Sequence, residues 1–315
     1  MYNSLKNSCN EDFSLWILCM DNITYNLLKK MDLPNIKLIT LQEFETLELL
    51  KLKKERSLSE YSWTCASNFV WFLLQKHNQI KTIIYLDADI YFFNSPSILI
   101  EELRDKDVII TEHRYTKKYN QTVTSGKYCV QFMVFKNNLN GLKILNWWRK
   151  KCLNWCPNSI NNASFNDQKY LDDWPIRFKK IHELQHLGGG VAPWNVQQYI
   201  FFNKNSVIIG KEKVSNKQFP LVFYHFHDFY LISRNKYYCC KNYALSKNIK
   251  KNIYEPYFKN LQNSILSTKI INPKFNFGFR DINLKITHRL YTYIIKNYYF
   301  KKIYKKYERK YKNKS

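Results

Sequence analysis

Short apolar runs alternate with helical patterns over the first two-fifths of this 315-residue chain, and that alternation limits the folds available to it. The strands are predicted at 15–20, 36–40, 82–93, 107–113, 130–137 and 221–229. The helices are predicted at 23–32, 41–57, 64–77, with Thr64 as its N-cap, 96–105 and 141–156. Apolar strands separated by helices favour an α/β fold with a mixed, mostly parallel sheet covered on both faces.

Charge and cysteine content indicate the kind of partner and the cellular compartment to expect. The chain has 50 Lys and Arg against 25 Asp and Glu, a formal charge of +25, which predicts attraction to nucleotides, nucleic acid or an anionic membrane. There is no run of 18 apolar residues and no apolar signal segment near residue 1, so we expect a cytoplasmic protein. The eight cysteines form no C-x-x-C pair and are expected to be reduced and mostly buried. A zinc site from Cys152, Cys156, His182 and His186 is a weaker alternative.

The C-terminal region differs in composition from the rest. Residues 282–315 contain eleven Lys and Arg and one acid, Glu308, a net charge of +10. Aromatic residues recur there at helical spacing among the basic ones, at Phe300, Tyr304, Tyr307 and Tyr311. We therefore divide the chain into a domain at 1–245 and a basic, Tyr-rich helical tail at 246–315. The tail either lies on an anionic membrane surface or is a solvated charge run without a partner.

The strand segment IIYLDADIYFF contains two carboxylates where a buried strand ends. Asp87 and Asp89 are two residues apart, so on an extended chain they point the same way. In an open α/β sheet, ligands bind beyond the carboxyl ends of the strands, which is where this pair falls. Carboxylate oxygens suit Mg²⁺ or Mn²⁺, and such ions commonly bridge protein carboxylates to a diphosphate. The pair predicts a divalent metal site.

A second group of potential ligands lies on the late strand, in FYHFHD. His225 and His227 share one face of this extended segment, and a neutral imidazole from it could complete the metal site. The alternative is that these histidines are hydrogen-bonded core residues.

Two further segments carry polar or glycine residues in unusual density. FNDQKYLDDWP (165–175) places Asp167 and Gln168 among aromatic residues, where they are candidate site residues; the alternative is that Asn166 or Asp167 caps a short helix. GGGVAPWNV (188–196) holds three of the seven glycines, which indicates close backbone approach to a ligand or a sharp loop.

The order and spacing of these four motifs resemble the bacterial nucleotide-diphospho-sugar glycosyltransferases of GT-A fold, with a distant likeness to glycosyltransferase family 8. The resemblance covers about residues 1–235. It implies Mn²⁺ or Mg²⁺ held by Asp87, Asp89 and His225. It also implies a nucleotide-diphosphate sugar donor, expected to be a UDP-sugar, and a saccharide or lipid-linked acceptor in surface polysaccharide synthesis. Asp167 and Gln168 fall on the Asp-Gln pair that lies near the donor's anomeric carbon in that family.

The sequence also departs from the family pattern. Asp228 replaces a usual Gly and no Lys-Pro-Trp follows, so Arg114 or Lys127 is expected to bind the diphosphate, with Asn195 and His227 as further substrate-binding residues. The family's first apolar strand has no counterpart, because MYNSL resembles the helix that follows it. The first strand is therefore expected to be missing, through a short gene model, a different pocket or degeneration. Retention of anomeric configuration follows from the family-8 analogy alone.

Two other functions remain open from the sequence. A metal-dependent phosphodiesterase or nuclease could use Asp87, Asp89 and His225, although it would more often have a denser set of carboxylates. A basic nucleic-acid-binding protein is favoured by the Tyr-rich tail, but no RNP1-like or helix-turn-helix signature is found, and we expect no nucleic-acid partner. The favoured prediction is a metal-dependent hexosyltransferase, peripheral on the inner face of the membrane.

Overall fold

The computed structural model describes residues 1–156 and 167–280. Two compact units are distinguished: the first comprises 1–228 and 240–274, and the described part of the second comprises 229–239 and 275–280. The aromatic and basic tail residues at 282–315 lie outside the described residues, so their predicted helix and membrane binding stay predictions.

The strands and helices follow the predicted alternation. The strands of the first unit are β1 Leu15–Cys19, β2 Ile36–Thr40, β3 Thr82–Leu86, β4 Ile90–Phe92, β5 Val108–Glu112, β6 Tyr128–Lys136, β7 Ile181–Glu183, β8 Tyr199–Lys204, β9 Val207–Glu212, β10 Gln218–Pro220 and β11 Phe223–His225. The helices are α1 Tyr2–Ser8, α2 Asn22–Met31, α3 Leu41–Phe44, α4 Leu47–Glu55, α5 Leu58–Lys76, α6 Ser97–Ile100, α7 Thr122–Ser125, α8 Leu139–Asn154, α9 Trp174–Arg177, α10 Lys247–Ile249 and α11 Glu255–Ile271. The second unit has a hairpin of β12 Tyr230–Ser233 and β13 Lys236–Tyr238.

Capping side chains explain where two predicted helices differ from the observed ones. The helix predicted at 64–77 begins earlier, at Leu58, because Ser57 and Glu60 form a capping box, so Thr64 is not its N-cap. The Thr64 hydroxyl instead donates to the Glu60 carbonyl one turn back. The helix predicted at 41–57 is divided into α3 and α4, because Thr46 caps a second start.

The central sheet has four strands in the order β3-β6-β5-β7. β6 pairs antiparallel with both β3 and β5, and β5 pairs parallel with β7. Three strands therefore run in one direction and β6 runs in the other, which confirms a mixed sheet of mostly one strand direction. Eight of the nine residues of β6 are buried, as expected for a strand covered on both faces.

Helices pack on both faces of this sheet. Side chains of α5, α8 and α9 form a cluster with β5 and β6, in which Trp148 stacks on Phe135 and meets Trp174 edge to face. On the opposite face, α1 and α6 pack with β4 and β11 around Phe92, Phe132 and Phe223. The predicted α/β fold with helices flanking the sheet is confirmed.

β1 and β2 form a separate parallel pair. Among the described strands, β1 pairs only with β2 and β3 only with β6, so each leaves one edge unpaired. A cavity of about 810 Å³ is lined by β1 and β3, by α1 and by apolar side chains of α5 such as Phe69 and Val70. The expectation of a missing first strand stays a prediction.

Residues 246–274 belong to the first unit, whereas the sequence predicted that a separate tail begins at residue 246. A π-helical turn at Lys250–Tyr254 joins α10 to α11, and α11 packs against α2. The boundary predicted at residue 245 therefore falls inside the first unit. Within the described ranges, no helix is long and apolar enough to cross a bilayer.

Candidate metal centre and its surroundings

Strand pairing brings the two aspartates and one histidine together. Asp87 and Asp89 occupy the turn between β3 and β4, and the antiparallel pairing of β4 with β11 sets His225 opposite Ile90. Two backbone hydrogen bonds fix the turn: Asp87 N–H donates to the Gln131 carbonyl at 3.1 Å, and Phe226 N–H donates to the Asp89 carbonyl at 2.9 Å. The sheet itself therefore sets the positions of all three side chains.

The geometry of this group suits a small cation. His225 Nε2 lies 3.1 Å from Asp89 Oδ1 and 3.9 Å from Asp87 Oδ2, and one ligand atom from each residue lies within 4.8 Å of the others. Among the described residues, this is the one group of three or more His, Cys, Asp or Glu that meets that criterion, so the weaker zinc alternative at Cys152 and Cys156 is not formed. Two carboxylates and one imidazole are a donor set that Mn²⁺ accepts.

A buried glutamine orients the histidine. His225 Nδ1 lies 2.7 Å from Gln131 Oε1. Since that oxygen can only accept, Nδ1 carries the proton and Nε2 is left to face the carboxylates. Metal-binding histidines are typically held by such a partner. Gln131 is not among the site residues predicted from sequence; the signal available for it is a single amide in the apolar strand segment VQFMVF.

Electrostatics couples the three groups. Burial raises the pKa of Asp87, and the charge of Asp89 adds to that effect. Burial acts in the same direction on Asp89, but the charge and hydrogen bond of His225 outweigh it and lower the pKa of that carboxyl. Burial works to lower the pKa of His225, whereas Asp89 raises it well above its usual value. Without a cation, a protonated His225 paired with Asp89 neutralises part of the carboxylate charge.

Asp167 is a third acidic group near this centre. Its side chain is 2 % exposed, and burial raises its pKa to about 8, with the charge of Asp87 as the second cause. Its Oδ2 atom is buried without a hydrogen-bond partner among the described residues. Its backbone is held by Trp148, whose indole N–H donates to the Asp167 carbonyl at 3.0 Å. Gln168 follows, half-buried, at the start of a 3₁₀ turn.

The two cations expected at a diphosphate are engaged elsewhere in the structure. The Arg114 guanidinium donates to carbonyls of the 184–189 segment, including Gly189 at 2.9 Å and Leu184 at 2.9 Å. The Lys127 ammonium lies 2.9 Å from Glu183 Oε2. These contacts secure a loop and an ion pair, so a role for either residue in binding substrate stays a prediction.

Asn195 and His227 differ in their surroundings. Asn195 is fully buried; it donates to the carbonyls of His113 and Gly190 at 2.8 Å and accepts from Ala192 N–H. It therefore closes the glycine-rich loop from within. His227 is exposed, and its ring centroid lies 6.2 Å from that of His225. The structure thus places His227 beside the acidic centre and Asn195 behind it.

The three consecutive glycines are required by packing within the protein. A Cβ at Gly188 would lie 2.0 Å from the Pro220 carbonyl oxygen. Gly190 has φ +81°, and a Cβ there would lie 2.6 Å from Thr111 Cγ2. These contacts support the predicted sharp loop, and close approach of its backbone to a ligand stays a prediction.

Comparisons with known proteins give distant relatives. No family model matches the chain. "Uncharacterized protein YfnD" of Bacillus subtilis strain 168 is 29% identical over 283 residues, covering 89% of this chain and 89% of that protein. "Uncharacterized protein YfnF" of the same organism is 28% identical over 291 residues, covering 90% and 93%.

Two solved structures are similar to this chain. One is mouse xyloside xylosyltransferase 1 in its apo form, with TM-score 0.41, 12% identity and coverage of 72% of this chain and 90% of that one. The other is a glycosyltransferase involved in the glycosylation of the major capsid of PBCV-1, with TM-score 0.41, 11% identity and coverage of 69% and 94%.

Proposed function

We propose that this protein is a metal-dependent glycosyltransferase that moves a sugar from a nucleotide-diphosphate donor to a saccharide or lipid-linked acceptor. The observation that carries the proposal is the convergence of Asp87, Asp89 and His225 at the end of the central sheet, within 4.8 Å of one another. The α/β fold, the order of the four sequence motifs and their resemblance to nucleotide-diphospho-sugar transferases support it. A UDP-sugar donor and surface polysaccharide synthesis are the finer part of the proposal.

The divalent cation is expected to be Mn²⁺ or Mg²⁺, bound by Asp87, Asp89 and His225 Nε2. Bound there, it would supply Lewis-acid stabilisation of the departing nucleoside diphosphate. Gln131 keeps the proton of His225 on Nδ1, so Nε2 can act as a ligand. Arg114 and Lys127 are engaged in contacts within the protein. The positive charge facing the diphosphate would therefore come from the bound cation.

Asp167 and Gln168 are proposed to act at the sugar rather than at the diphosphate. Asp167 lies near enough to Asp87 for their charges to interact, and it has a buried oxygen without a described partner. At neutral pH its raised pKa keeps the carboxyl protonated in the protein without a cation. A hydroxyl or a positively charged carbon placed beside it would find a polar group held in a dry environment, where electrostatic interactions are strong.

The test is donor cleavage by the purified protein. Sugar nucleotides of the common nucleosides are incubated with Mn²⁺ or Mg²⁺, and the products are separated by chromatography. Breaking the bond at the anomeric carbon releases a nucleoside diphosphate, whereas a phosphodiesterase breaks the diphosphate and releases a nucleoside monophosphate and a sugar phosphate. We expect metal-dependent release of the diphosphate from one donor. Release of monophosphate would establish the alternative metal enzyme.

Matched variants connect the activity to the proposed site. Asp87→Ala, Asp89→Ala and His225→Ala should each abolish cleavage and weaken Mn²⁺ binding measured by calorimetry. Asp105→Ala, which removes an exposed acid, is the control and should leave both unchanged. Circular dichroism should show that the variants are folded. Full turnover by both aspartate variants in chelator-treated buffer would refute the metal assignment.

A further inference from the structure

An aromatic surface adjoins the acidic centre on the side of the two histidines. We name it the aromatic wall and define it by Tyr115, Tyr119, Trp194 and Tyr243. The Trp194 ring lies edge to face against His225, with centroids 5.3 Å apart, and against His227, with centroids 5.6 Å apart. Tyr243 lies 6.4 Å from His227 and 5.0 Å from Tyr119. Ring contacts therefore run without a break from the candidate metal centre to Tyr119.

Three separate segments build the wall, and hydrogen bonds hold them together. The Tyr119 hydroxyl accepts from Ala244 N–H at 2.8 Å, and Gln121 Nε2 donates to the Tyr243 hydroxyl at 2.8 Å. Gln197 Nε2 also donates to the Ala244 carbonyl at 3.0 Å. These bonds fix the 243–244 segment against the 119–121 segment. The wall is a preformed surface rather than a set of mobile side chains.

The exposure of the rings shows which of them can meet a ligand. Trp194 is 4 % exposed and supports the others from behind, whereas Tyr115, Tyr119 and Tyr243 are half-buried. Lys118 lies over the Tyr119 ring at 5.4 Å, and of the three half-buried tyrosines Tyr243 is the one whose ring contacts His227. The exposed His227 makes no hydrogen bond to any described residue and offers polar atoms beside that platform. The surface combines an apolar ring face with a neighbouring polar group.

We infer that the aromatic wall is the acceptor subsite and that a saccharide packs the C–H face of one ring on Tyr243, with a hydroxyl towards His227. This inference rests on the proposed function and names the acceptor as a sugar ring. Rigid aromatic side chains give large contact area at little entropic cost, and binding sites combine such surfaces with a few placed polar groups. The position beside Asp87, Asp89 and His225 brings that ring next to where the donor sugar would be held.

The test measures saccharide binding without requiring turnover. Methyl glycosides of glucose, galactose, mannose and xylose are presented to the protein one at a time, and saturation-transfer NMR reports which protons contact it. We expect at least one glycoside to be saturated through the C–H protons of one ring face. Tyr243→Ala should weaken that binding about tenfold, which corresponds to about 1.4 kcal/mol. Tyr243→Phe keeps the ring and should bind as the unmodified protein does.

Controls separate this inference from the catalytic proposal. Tyr25→Ala, on helix α2, removes a tyrosine outside the wall and should have no effect. Asp89→Ala should lose donor cleavage but keep glycoside binding, so a failure of one proposal is visible independently of the other. The inference is overturned if no glycoside binds, if Tyr243→Ala binds as well as Tyr243→Phe, or if UDP alone displaces the glycoside, which would identify the wall as a nucleobase site.

Discussion

Replacing Asp167 with asparagine should change how the stability of the protein depends on pH. The unfolded carboxyl has a pKa near 4, whereas burial and the charge of Asp87 raise the folded pKa to about 8. Above about pH 4 the unfolded chain releases this proton while the folded protein keeps it, so the folded state loses stability as pH rises and the loss stops above about pH 8. An asparagine side chain does not titrate, so that component of the pH dependence should disappear in the variant.

The size of the effect follows from the width of this window. At pH 7 the unfolded group has passed its pKa by about three units, and each unit is worth about 1.4 kcal/mol, so the upper limit is about 4 kcal/mol. Between pH 5 and pH 7 alone, two of these units apply, so the expected loss of stability is about 3 kcal/mol.

Chemical denaturation of the metal-free protein between pH 5 and 8 is the assay. The free energy of unfolding of Asp167→Asn relative to the unmodified protein should rise steadily with pH. Asp105→Asn, with a 75% exposed side chain, is the control and should run parallel to the unmodified protein. If the curves for Asp167→Asn and the unmodified protein are also parallel, the burial argument for Asp167 is wrong.

Three further outcomes are expected. Gln131→Leu should weaken Mn²⁺ binding by about 10- to 100-fold in a calorimetric titration, because His225 loses the acceptor that fixes its proton; an unchanged affinity would exclude that positioning role. Gln168→Ala should slow the single-turnover rate more than it weakens donor binding, and normal chemistry with weaker donor binding would contradict its placement at the sugar. Deleting residues 282–315 should reduce co-sedimentation with anionic vesicles at low salt while donor cleavage persists, because each basic residue near such a surface contributes about 1 kcal/mol; equal sedimentation of both chains would remove the membrane hypothesis.

Local sequence patterns were sufficient to predict most strands of the sheet. The apolar runs that became β2, β3 and β5 are bounded by polar residues, and the buried strand β6 has an apolar composition that allows little else. The start of α5 was missed because Thr64 and Ser57 both have capping chemistry. The choice depended on Glu60, whose side chain completes a capping box with Ser57.

Which residues meet at the candidate site depends on pairing between segments that are distant in sequence. The sequence predicted that His225 and His227 share a strand face, but β11 ends at His225 and His227 lies in the turn that follows. The register of β11 against β4 is what sets His225 against the aspartates. Gln131 reaches His225 from a different strand, and Tyr243 arrives from a segment more than a hundred residues after Tyr119. Residue spacing along the chain does not predict these contacts, because they depend on tertiary packing.

The absence of a hydrogen-bonded ladder between β1 and β3, both within the described ranges, affects how the first unit should open. The β1–β2 pair is tied to the rest by side-chain packing, chiefly the cluster of Phe44, Tyr61 and Leu73, whereas β5 and β6 share a hydrogen-bonded ladder inside the core, with one irregularity between Ile109 and Thr111. A region held without shared backbone bonds can open as its own cooperative unit at a free energy below that of global unfolding. Amides of β1 and β2 should therefore exchange with solvent deuterium faster than those of β5 and β6, and the 15–40 segment should be the earlier point of proteolytic attack.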